Sequence, residues 1–82
     1  MKVPRDLAGN DLAVALRVLG YHVTRQTGSH LRLTTTERGE HHVTVPRHGA
    51  LRVGTLAGIL ADVATHFSMS RDESMATLFG VE

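Results

Sequence analysis

The 82-residue chain has no cysteine and no tryptophan, and only one tyrosine, two phenylalanines and two prolines. Without thiols there is neither a disulfide nor a thiolate zinc site to brace a domain of this size, so apolar packing must hold it. A cysteine-free chain also suits a reducing compartment. Long hydrophobic runs are missing as well: the longest wholly nonpolar stretch, Leu56 to Ala61, is far too short to span a bilayer. Met1–Asp6 lacks the apolar segment of a signal peptide. No repeat, linker or low-complexity segment breaks the chain. A single domain over residues 1–82, cytoplasmic and without a membrane partner, is therefore expected.

Lysine is also scarce. Of the nine basic residues eight are arginine, the side chain whose planar fork suits phosphate. The net charge of +1 conceals an asymmetry, since residues 1 to 60 carry +4 and residues 61 to 82 carry −3. Residues 17 to 52 hold six arginines against two glutamates, and five of the six histidines lie between 22 and 48. The middle of the chain thus favours an anion, with RNA as a natural candidate. A plainly solvated basic face satisfies the same counts.

Residues Gly9 to Leu19 predict a helix with Leu12, Leu16 and Leu19 on one face. Gly20 predicts a left-handed stop, with Tyr21 packing back on the last turn. The period then changes from helical to alternating. Tyr21, Val23 and Arg25 alternate with His22, Thr24 and Gln26. Leu31, Leu33 and Thr35 alternate with His30, Arg32 and Thr34, and Val43 and Val45 alternate with His42 and Thr44 until Pro46. If the aliphatic positions face the helices, then Thr24, His30, Arg32, His42 and Thr44 share an opposite, polar face. A second helix is predicted over Thr55 to Phe67, with Leu56, Ile59, Leu60, Val63 and Phe67 as its core stripe. Ser70-Arg71-Asp72-Glu73 reads as a capping box opening a short helix to about Phe79, with Met75, Leu78 and Phe79 packing inward. The fold class is α+β: an antiparallel three-stranded sheet in the order α-β-β-β-α, plus a short C-terminal helix, with helices on one face.

Gly28-Ser29-His30 places an imidazole just past a tight turn at the mouth of the first hairpin. Small residues there let a phosphodiester-sized group approach the backbone closely. Histidine is the side chain suited to proton transfer near neutral pH. Alone, the tripeptide is unspecific. The ordered set Gly20-Tyr21, Arg25-Gln26, Gly28-Ser29-His30, Val43-Thr44-Val45-Pro46-Arg47-His48 and Gly54-Thr55-Leu56 is far more so. Together these resemble the HicA-type mRNA interferase toxins over about residues 6 to 66, and more loosely to Phe79.

The resemblance implies a double-stranded-RNA-binding-domain-like fold and a metal-independent endoribonuclease with no cofactor. It makes His30 the catalytic histidine, and it implies a HicB-type antitoxin that covers the basic face. RNA carries its own nucleophile, the 2′-hydroxyl, so a proton acceptor, a proton donor and cations suffice. Gly28 and Ser29 shape the turn. Arg25 and Arg32 flank the hairpin and offer phosphate contacts, as do Arg47 and His48 in the loop after the third strand. Each of these also fits an ordinary solvated position. His41 and His42, adjacent on a strand, point to opposite faces and cannot easily share a metal ion. His22 and His66 have no evident partner. Gly54-Thr55 either presents free helix amides to a phosphate or is simply capped by Thr55 or its neighbour.

Two other readings compete with the endoribonuclease. One is a non-catalytic RNA-binding module on the same fold, against which stands the absence of a lysine cluster, Lys2 being the sole lysine. The other is a small protein-interaction domain.

Overall fold

In the computed structural model, which describes residues 7–80, the chain turns helical at Gly9 because Asp11 folds back on the helix start. Its carboxylate accepts from the Ala8 N–H at 3.1 Å, satisfying one of the donors that a helix start leaves free. Met1–Asp6 and Val81–Glu82, including the segment read against a signal peptide and Lys2, lie outside the described residues. Helix α1 spans Gly9–Leu16 and tightens into a 3₁₀ turn over Arg17–Leu19, so the predicted single helix to Leu19 loses its regular last turn. The stop itself falls at Gly20 as expected. Its φ of +83° is left-handed, its N–H donates to Arg17 O at 3.0 Å, and Tyr21 N–H donates to Leu16 O at 3.3 Å. A Cβ at Gly20 would also press on Glu37 and Thr35, so both backbone angle and space demand glycine.

Three antiparallel strands follow in spatial order, β1 (His22–Gln26), β2 (His30–Thr35) and β3 (His41–Pro46). Leu31, Leu33, Val43 and Val45 face the helices, packed with Leu12, Leu16, Leu19 and Tyr21 and with Leu56, Ile59, Leu60 and Val63 of α2. The opposite face carries His30, Arg32, His42 and Thr44 as the alternation requires. Helix α2 (Val53–His66) starts two residues before the predicted Thr55 and ends one before Phe67. Arg52 occupies its cap position and no side chain caps it, so capping by Thr55 is not what starts this helix. Helix α3 (Arg71–Phe79) opens on the expected reciprocal box. Ser70 N–H donates to Glu73 Oε1 at 2.8 Å and Glu73 N–H to Ser70 Oγ at 3.1 Å. The Ser70 backbone N–H first, and the Ser70 hydroxyl second, hold the Glu73 carboxyl below its usual range. Met75 and Leu78 are buried on the core and Phe79 packs against it partly exposed.

Strand β1 departs from simple alternation. Val23 pairs with Leu33, but Arg25 pairs with Arg32, so Thr24 is an extra residue in a bulge. The bulge inverts parity. Arg25, predicted on the same side as Val23, moves to the polar face beside Arg32, which spares a guanidinium from burial. Val23 stays on the inner side, yet it is 46% exposed, because the edge strand reaches past the cover that the helices provide. Thr24 keeps its place in the polar layer by bonding Thr34 Oγ1 at 2.9 Å.

Tyr21 fixes the far end of the sheet. Its hydroxyl lies 2.6 Å from His41 Nδ1, and His41 Nε2 lies 3.2 Å from Asp62 Oδ1. A carboxylate only accepts, so in the neutral ring Nε2 carries the proton and Tyr21 donates to Nδ1. Burial first, and the Asp62 charge second, push the Tyr21 hydroxyl up to about 12. With the folded value above the unfolded value of about 10, the stability it contributes is complete below about pH 10. That contribution disappears as pH rises through about 12. As this is the only tyrosine and tryptophan is absent, absorbance at alkaline pH reads it alone. We expect the tyrosinate to appear with a midpoint near 12, together with unfolding. A midpoint at the free-tyrosine value would show the hydroxyl to be solvated.

Candidate functional site

The first hairpin turn is built by side chains that close on the backbone. Thr27 N–H donates to His30 O at 2.9 Å, and Thr27 Oγ1 accepts from His30 N–H at 3.0 Å. Ser29 Oγ lies 2.9 Å from His30 Nδ1. The exposed His30 ring is thereby oriented through one nitrogen, and its Nε2 has no partner among the described residues. A Cβ built on Gly28 would meet nothing within 4 Å, so this shoulder of the turn is open to a visiting group.

The loop after β3 is tied to this turn at three points. Arg47 N–H donates to Ser29 O at 2.8 Å, and His48 Nε2–H donates to Gly28 O at 2.6 Å. The Arg47 guanidinium reaches back to Gln26, whose amide oxygen, turned towards it, accepts from Nη1 at 2.9 Å and Nη2 at 3.2 Å. Pro46 pairs directly with His30. Gly9 backs the same place from the helix side, since a Cβ there would collide with the Pro46 carbonyl. The fold therefore gathers Gly28, Ser29, His30, Arg47 and His48 at one end of the sheet. Arg25 and Arg32 stand further along the same polar face.

The electrostatics of that face favour an anion. Arg25 and Arg32 are cross-strand neighbours, an arrangement in which like charges repel. Among the described residues no carboxylate pairs with Arg25, Arg32, Arg47 or Arg52; Asp62 and Glu40 instead hydrogen-bond the imidazoles of His41 and His42. Unpaired guanidiniums around an imidazole suit a phosphodiester.

The remaining histidines sit elsewhere. His42 Nε2 bonds Glu40 at 2.7 Å and its Nδ1 bonds Thr34 at 2.8 Å, on the polar face. His41 points to the opposite side, stacked on His66 with ring centroids 4.4 Å apart. His66, read as partnerless, donates from Nε2 to Glu37 O at 2.9 Å, and His22 Nδ1 lies 3.3 Å from Gly20 O. Gln26, by sequence only a member of the motif set, steadies Arg47, and Thr27 closes the turn; neither role is marked by the local sequence. The signal for the bulge was present: strict alternation would have turned Arg25 inward beside Val23 with no partner.

A family model described as the HicA toxin of bacterial toxin–antitoxin systems matches residues 9–64. The chain belongs to the HicA toxin family. The match runs from the first residue of α1 to near the end of α2, so it contains the whole sheet, the His30 turn and the Arg47–Arg52 loop, and leaves α3 outside. No curated protein and no solved structure matches the chain. Membership in the HicA family implies a toxin with a cognate antitoxin as its partner. No helix among the described residues is long and apolar enough to cross a membrane.

Proposed function

We propose that this HicA-family toxin is a metal-independent endoribonuclease that cleaves mRNA with His30 as a proton-transfer group and is silenced by a HicB-type antitoxin. The observation that carries this reading is His30 itself: exposed, held through Nδ1 by Ser29, with Nε2 unpartnered among the described residues and Arg32 two residues along the same face of β2. In the reaction the ribose 2′-oxygen loses its proton and attacks the adjacent phosphorus. The bond to the 5′-oxygen breaks, and that oxygen gains a proton as it leaves. His30 Nε2 serves one of these proton transfers. Arg47, whose backbone is tied to the turn that carries His30, meets the charge that gathers on the phosphoryl oxygens. Arg25 and Arg32 bind flanking phosphates, and Gly28 leaves room for the strand. An α-β-β-β-α domain with one polar sheet face, as in double-stranded-RNA-binding-domain-like folds, suits this use. An inhibitor of such a site must mask both the imidazole and the guanidiniums, so the antitoxin docks on the same face.

Incubating the purified protein with mixed-sequence RNA in the presence of a chelator tests the reading. We expect cleavage, and its suppression by saturating antitoxin. Binding without any cleavage would leave a non-catalytic RNA-binding module instead. Removing single arginine charges supplies a separate check on the face. Arg25→Ala, Arg32→Ala and Arg47→Ala should each weaken RNA binding almost regardless of sequence. Each should also flatten the logarithmic salt dependence by about 0.7 per single-strand phosphate contact. Unaltered salt slopes in all three variants would move the RNA off this face.

A further inference from the structure

We propose that the cleft between the end of β3 and the first turn of α2 is a subsite for one unpaired nucleobase next to the scissile phosphate. This rests on the endoribonuclease reading above and adds a specificity site to it. The cleft has a volume of about 210 Å³ and is lined by Pro46, His48, Ala50, Leu51, Arg52 and Thr55. Pockets for drug-sized ligands run from about 300 to 1,000 Å³, so this one is scaled to a single flat ring system. Its walls divide by chemistry. Pro46, Ala50 and Leu51 supply apolar surface, which receives a heterocycle but not a hydrated phosphate. His48 and Arg52 supply an imidazole and a guanidinium, the kinds of planar group on which splayed-out RNA bases stack. Thr55 Oγ1, the Arg52 guanidinium and His48 Nδ1 have no hydrogen-bond partner among the described residues, so they are free to address a base edge.

The position of the cleft links it to the reacting centre. Pro46 is the cross-strand partner of His30, and His48 holds Gly28 O through Nε2 at 2.6 Å. A base seated there would press on the ring that steadies the turn carrying His30. The nucleotide beside the cut would then set both affinity and the placement of the imidazole. Single-stranded RNA supplies such a base without any unpairing.

The test uses short oligoribonucleotides cut at one mapped position, each carrying one abasic ribose placed in turn around the cut. With the unmutated protein, one position adjacent to the cut should lose about tenfold to a hundredfold in kcat/KM when its base is missing. Leu51→Trp, which fills the cleft, should cleave the intact oligonucleotide more slowly and no longer distinguish it from the abasic one. Leu51 also packs against the core, so circular dichroism must confirm that this variant folds. Should it unfold, Arg52→Ala, at an exposed position, replaces it and is expected to narrow the same difference. Indifference of the unmutated enzyme to every abasic position beside the cut overturns the subsite and leaves the endoribonuclease standing. Full discrimination retained by the folded variant does the same. Absence of any RNA cleavage overturns the endoribonuclease reading, and the subsite with it.

Discussion

His30→Ala is expected to lower RNA cleavage by at least about a hundredfold, the lower end of what a positioned acid or base contributes, without disturbing the fold. The side chain is exposed, and its one hydrogen bond among the described residues is to the neighbouring Ser29. The pairing of residue 30 with Pro46 is made by backbone and survives the substitution. A surface change of this kind shifts stability by less than about 0.5 kcal/mol. Expression of the unmutated toxin should arrest growth and expression of the variant should not. The purified variant should still bind RNA and still capture antitoxin, because the guanidiniums remain. Normal cleavage by a folded His30→Ala protein would remove the imidazole from the mechanism. Unfolding would mean that the turn depends on it in a way the hydrogen bonds do not reveal. Ser29→Ala grades the same idea. It frees Nδ1 but leaves the ring in place, so it should slow cleavage less than loss of the imidazole does.

The way these residues come together explains which parts could be read from sequence. Helix α1, its stop at Gly20 and the strands carrying Leu31, Leu33, Val43 and Val45 follow from periodicity and one left-handed glycine. Local chemistry dictates those features. The Ser70–Glu73 box is legible for the same reason, since both partners lie within one turn. Pairing across the sheet is a different matter. Strict alternation hints at a bulge by turning Arg25 inward, but its place at Thr24 is fixed only when β1 is laid against β2, and it decides that Arg25 joins Arg32 rather than Val23. The start of α2 at Val53 is set by the loop returning from Pro46, tied through Leu51 N–H to Leu7 O at 2.7 Å, and by no capping side chain. Tyr21, His41, Asp62 and His66 meet only because α2 folds back over β3, so nothing in the local sequence marks them. For the site, the motif spacing named His30, Arg47 and His48. The ties from Arg47 to Ser29 and from His48 to Gly28 needed the fold.

Leu16→Ala should bring the protein close to unfolding. Leu16 is 0% exposed on the inner face of α1 and belongs to the main apolar cluster with Leu12, Leu33 and Val63. Truncating a buried leucine removes its transfer free energy and leaves a cavity, at a cost of about 2 to 5 kcal/mol. The loss should lie towards the upper part of that range, because Leu16 N-terminally abuts the 3₁₀ turn and its carbonyl already accepts from Tyr21 N–H, which limits how far the chain can collapse inward. Domains of this size have on the order of 5 kcal/mol in total at the lower end. Each kcal/mol moves the melting temperature by about 4 to 8 °C, so thermal melts followed by circular dichroism should show a fall of well over about 10 °C, or no folded state. Ile59→Ala, at the rim of the α2 stripe and 9% exposed, should cost less within the same range. Val18→Ala supplies the contrast, since Val18 follows Leu16 by two positions yet is 62% exposed and should leave the melt almost unchanged. If Leu16→Ala and Val18→Ala melt alike, α1 presents a different face to the sheet. The backing that Gly9 gives to Pro46, and through it to the strand position of His30, would then have to be redrawn.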